Sequence, residues 1–119
     1  MLNSILQNLF AVRDIAHALH LKTKSFAEHV ALDALYTKLV DMADEFAEVW
    51  IGTNGDSSEE PDQATVFVSN DAASFIGEVA EWAEKVKGDI NPDQGHLLNI
   101  WDEFLSLVYR TKYKIDNLH

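Results

Sequence analysis

Six side chains of types that bind hard or borderline metal ions gather in the first half of this chain: His17, His20, His29, Asp33, Asp44 and Glu48. The last four fall inside one predicted helix, at steps of four, eleven and four residues. His29–Asp33 and Asp44–Glu48 are each one-turn neighbours on a helix face. Imidazole with carboxylate suits Fe, Mn or Zn, and the residue types do not choose among them. At about 1.5 Å rise per residue, Asp33 and Asp44 stand roughly 16 Å apart along the axis. No single ion can touch both pairs in one chain. Either there are two half-sites, or a second copy of the chain completes each one.

On a helical wheel with His29 at zero, Asp33 sits at about 40°, Asp44 at about 60° and Glu48 at about 100°. The four share one flank. Leu32, Leu39, Phe46 and Trp50 lie on the other side, so the acids are expected at an edge of the core. Pairing this helix antiparallel with a copy of itself, crossing near Leu39–Val40, brings Asp33 of one chain to the Asp44–Glu48 region of its mate. A two-fold homodimer, or a larger homo-oligomer, would thus gather a split site.

Net charge is −11, from 9 basic and 20 acidic residues. That argues against nucleic acid, whose phosphates need clustered Lys and Arg. Anionic membranes are disfavoured likewise. Divalent cations and basic protein surfaces are the favoured partners; the plainer reading is that the charge only maintains solubility. Cysteine is absent. Disulfides, thiolate zinc sites and cysteine nucleophiles are therefore out, which fits a reducing, cytoplasmic setting. No apolar run approaches the ~20 residues of a membrane helix, and Met1–Asp14 lacks the pattern of a signal peptide.

Apolar residues recurring every three or four positions predict one domain, 1–119, of four helices. The first covers about 3–20, with Asn3 or Ser4 as cap. The second covers about 25–51, capped by Ser25 with Glu28 as capping-box partner, and stops near Gly52. Residues 52–63 read as a mobile acidic loop. Asp56, Ser58, Glu60 and Asp62 alternate in it without completing a calcium loop. Ala64–Val68 is a short apolar run of undecided form. The third helix, about 69–87, starts at Ser69 or Asp71 and turns Glu78, Glu81 and Glu84 outward. The fourth, about 92–117, is expected to begin at Pro92 with Asn91 as cap. Amphipathic helices with short links predict an all-α, antiparallel four-helix bundle.

The segment from His17 through His20 and His29 to Asp33, followed by Asp44-Glu45-Phe46-Ala47-Glu48, resembles the ferroxidase region of Dps-type mini-ferritins. In that family a histidine is followed by another at +12, then by Asp at +4, Asp at +15 and Glu at +19 from the second. His17, His29, Asp33, Asp44 and Glu48 match without a gap. Over the whole chain the likeness is closest to small, poorly characterised Dps-like proteins of bacteriophages. The resemblance implies a ferritin-like fold and an iron site at a two-fold interface, with ferrous iron bound and oxidised. His29 and either His17 or His20 would then supply imidazole nitrogens. Asp33 and Glu48 would supply carboxylates, and Asp44 would orient a histidine or water. His17 is followed by alanine where that family usually has tryptophan, and no Glu-x-x-His pair is present. The competing class is a non-enzymatic acidic module of bacteriophage type. It would engage a basic host protein through Glu78, Glu81 and Glu84 and the 56–62 loop.

Overall fold

The structure is a computed structural model that describes residues 1–55 and 67–119. The described residues form four helices: α1 (Leu2–Lys22), α2 (Phe26–Asn54), α3 (Ala72–Asp89) and α4 (Gly95–Asn117). The expected calcium-like alternation and most of the apolar 64–68 run lie outside the described residues. No helix among the described residues is long and apolar enough to cross a membrane.

Local chemistry sets the helix ends. Ser25 caps α2 as expected, its hydroxyl accepting from the Glu28 N–H at 3.2 Å. The return half of the capping box is absent. Thr23 takes it over, donating to Glu28 Oε1 at 2.7 Å and accepting from the Ser25 N–H at 3.1 Å. Asp71 caps α3 by accepting from the Ser74 N–H at 2.9 Å, and that bond holds its carboxyl below the usual range. Three expected ends move. Met1, not Asn3 or Ser4, stands at the cap of α1. α2 runs through Gly52 and stops at Gly55, whose φ of 80° suits glycine. Asn91-Pro92-Asp93 forms a turn, with Asn91 Oδ1 accepting from the Asp93 N–H at 2.9 Å, and α4 starts only at Gly95.

The contacts between helices fix the topology. The end of α2 meets the start of α4: Thr53 Oγ1 lies 2.8 Å from His96 Nε2, and the Asn54 and Gln94 amides pair at 3.3 and 2.8 Å. α3 and α4 form an antiparallel hairpin tied by Lys87–Asp102 at 2.8 Å and by the Tyr109 hydroxyl donating to Glu84 at 3.0 Å. Met1, Ser4 and Ile5 at the start of α1 adjoin Trp82 and Val86 late in α3. The ring order is therefore α1–α2–α4–α3, each helix antiparallel to its neighbours. α2 and α3 sit diagonally and run parallel. α3, with 18 residues, is about 27 Å long.

Aromatic rings knit the layers. Trp101 of α4 is fully buried, with ring centroids 5.2 Å from Phe46, 5.6 Å from Trp82 and 4.9 Å from Phe104. Its Nε1–H donates to the Ala83 carbonyl at 2.9 Å, so the buried indole is satisfied without water. Phe67 stands edge-on to Phe75 and Trp82 at 6.0 and 5.9 Å and anchors the entry to α3. Asn8 is a polar exception on the α1 core face. Its Nδ2 donates to the Ser4 carbonyl at 2.8 Å, but its Oδ1 has no partner among the described residues.

Trp101→Ala is expected to cost about 3–5 kcal/mol, the penalty for deleting a buried aromatic that touches several elements. Urea unfolding followed by circular dichroism measures it, and a loss below about 1 kcal/mol would show that Trp101 is no hub. Asn8→Leu is expected to stabilise by about 1 kcal/mol, because it removes a buried acceptor without a partner at similar volume.

Candidate functional site

The α1–α2 corner gathers three histidines and a tyrosine. His20 is 8% exposed and stacks on His29, with centroids 3.7 Å apart and planes 20° apart. The two are clasped reciprocally: His20 Nδ1 lies 2.7 Å from the His29 carbonyl oxygen, and His29 Nδ1 lies 2.9 Å from that of His20. A carbonyl oxygen only accepts, so each Nδ1 carries its hydrogen. His17 stacks on Tyr36 at 4.3 Å and 16°, and Tyr36 stands edge-on to His20 at 5.3 Å. Partial burial, then the neighbouring Asp33 carboxylate, raises the Tyr36 phenol above its usual range. His17 and His20 thus pack against Tyr36, and His29 joins the group by stacking on His20. The sequence alone does not single out Tyr36. The signals for its place here are the Asp33–Tyr36 step and a face shared with His29.

Asp44 and Glu48 do not join this group. Asp44 is about 22 Å along α2 from His29. Both acids, with Asp33, are exposed on the outward face of α2 rather than at the core edge. Leu39 of the proposed crossing point is buried in the bundle, and only Val40 reaches the surface. The six residues do not fit a shared ion within one protomer. Lone pairs on imidazole nitrogens lie in the ring plane, and the nearly parallel planes of His20 and His29 do not aim both Nε2 atoms at one point. Among the described residues, no group of three or more His, Cys, Asp or Glu is placed to hold a metal ion.

What the acids do form is a strip. Asp33, Thr37, Val40, Asp44, Glu48 and Ile51 are all exposed and fall within about 80° of one another on the α2 wheel. Among the described residues, Asp33, Asp44 and Glu48 make no ion pair. The α3 acids are more committed. Glu78 accepts from the Val68 and Ser69 backbone N–H groups at 3.4 and 3.1 Å. Hydrogen bonding from Ser69 is the main cause that holds its carboxyl below the usual range. Glu84 accepts from Tyr109. Of Glu78, Glu81 and Glu84, Glu81 alone is left without such a bond among the described residues.

The clasp predicts coupling between its halves. His20→Ala and His29→Ala should each destabilise, the buried His20 by more, at about 1–3 kcal/mol. The double variant should lose less than the sum by about 0.5 kcal/mol or more, because each ring's partner is already gone. Strict additivity in urea unfolding would deny the clasp.

Comparison with known proteins corrects the mini-ferritin resemblance. No ferritin or Dps family is matched; the match is instead to a family of unknown function, DUF5856, over residues 20–115. That span begins beyond His17, the first position of the mini-ferritin spacing. The chain is also similar to an uncharacterised 14.6 kDa protein encoded in the mobD-ri intergenic region of Enterobacteria phage T4. The two are 24% identical over 105 residues, covering 88% of this chain and 80% of the phage protein. The expected likeness to bacteriophage proteins therefore stands without its Dps part. No solved structure matches. With the match running through nearly all of α2, α3 and α4, the chain belongs to the DUF5856 family.

Proposed function

We propose that this protein is a non-catalytic binding module whose outward α2 strip engages a basic surface of another protein. The observation that carries the reading is the strip itself. Asp33, Asp44 and Glu48 are exposed and without ion pairs among the described residues, and Val40 and Ile51 are interspersed with them. Carboxylates steer a cationic partner and fix its register, while exposed aliphatics supply area to bury. The rigid bundle holds the strip on one helix, so little ordering is needed on binding. Net charge of −11 adds long-range attraction for a basic partner. Interaction through the α3 face, the alternative location, is the weaker choice because Glu78 and Glu84 serve the fold.

The probe is a synthetic amphipathic helix of lysine and leucine, titrated calorimetrically at low and high salt. Asp33→Asn/Asp44→Asn/Glu48→Gln should weaken binding roughly tenfold at low salt. Glu81→Gln, paired with Asp89→Asn to remove charge elsewhere, should leave it within about twofold. If the α2 triple variant binds as tightly as the parent, or both variants lose alike, the strip is not the binding face.

A further inference from the structure

The flank of α2 that faces α4 carries a different pattern. A groove of about 410 Å³ runs between the two helices, with Met42 and Leu107 in its lining and Lys38, Asp41, Glu45, Glu103 and Arg110 around it. The register set by the Thr53–His96 and Asn54–Gln94 contacts brings Lys38 level with Arg110 and Glu45 level with Glu103. One end of the groove is thus doubly cationic and the other doubly anionic. Two helical turns, about 10 Å, separate them. Among the described residues, none of these four groups makes an ion pair. Lysine and arginine with no partner are notable in a chain with 9 basic and 20 acidic residues.

Such a face is complementary to itself. A two-fold axis lying in the face and perpendicular to the groove reverses one copy along the groove. Lys38 of each copy then stands over Glu45 of the other, and Arg110 over Glu103, with Met42 and Leu107 meeting near the centre. An axis parallel to the groove would oppose like charges, so the pattern selects one orientation. We propose that the α2–α4 groove is the interface of a two-fold homodimer in this orientation. The α2 residues of the groove lie at about 120–220° on the wheel and are centred near 170°, whereas the strip spans about 20–100°. The inference is therefore independent of the binding reading above, and the dimer leaves both strips open. Asp41 falls near the axis, where it faces its own copy. That is the one unfavourable charge contact.

Sedimentation equilibrium across a concentration range tests the proposal. The parent should dimerise. Lys38→Glu and Glu45→Lys should each weaken association roughly tenfold, since symmetry applies every change twice. An equimolar mixture of the two single variants should recover dimers. In the mixed species, position 38 of each copy again faces the opposite charge at position 45 of the other. Asp41→Asn should tighten the parent dimer. Circular dichroism verifies that the variants keep their helices. If either single variant unfolds, Arg110→Glu and Glu103→Arg carry the same test. A parent that stays monomeric at high-micromolar concentration overturns the proposal. So do single variants that associate like the parent, or a mixture that stays monomeric.

Discussion

The start of α3 lies beside the first turn of α2, with Asp71 and Ala72 lining one cavity with Glu28, and this parallel arrangement constrains the rest of the architecture. Because α3 starts where α2 started, the two helices run parallel and cannot be hairpin neighbours. α2 instead packs between α1 and α4, and its buried face is made of Leu32, Leu35, Leu39, Ala43 and Phe46. The same constraint sets Lys38 beside Arg110 and Glu45 beside Glu103. Phe67 and Glu78 fasten the entry to α3, one by ring contacts and the other by backbone hydrogen bonds. Trp101 then closes the centre, linking α2, α3 and α4 through rings and a single indole hydrogen bond.

Much of this was legible in the sequence because amphipathic periodicity is a local property. The four helices, the Ser25 cap and the apolar stripes all follow from residues within a turn of one another, while the start of α3 stays open between Ser69 and Asp71 until the structure caps it at Asp71. Gly52 misled because glycine inside a helix costs only about 1 kcal/mol and tertiary packing outweighs it. Pro92 misled because proline suits a turn as well as a first helical position. The His20–His29 clasp could not be read from spacing. It depends on how α1 and α2 fold back on each other, and the wheel of one helix does not record that.

The mini-ferritin spacing illustrates the same limit. An acid-rich helix with one face buried places its carboxylates at steps of three, four, seven and eleven on the other face, whatever their purpose. A match of residue types at those steps therefore arises readily without shared chemistry. Within one protomer the histidines at the α1–α2 corner lie apart from Asp44 and Glu48, as the helical rise already requires, and it is the family match that lies elsewhere. His20 and His29 serve the fold, since each ring closes the hairpin by bonding the other's backbone. The carboxylates of Asp33, Asp44 and Glu48 are left facing solvent.

The central claim is that the outward face of α2 recognises a basic partner, and residue-resolved amide shifts address it most directly. On titration of isotope-labelled protein with a lysine- and leucine-containing amphipathic helix, perturbations should concentrate on Asp33, Thr37, Val40, Asp44, Glu48 and Ile51 and shrink as salt is added. Shifts spread evenly over all four helices, or centred on Glu81, would contradict the account.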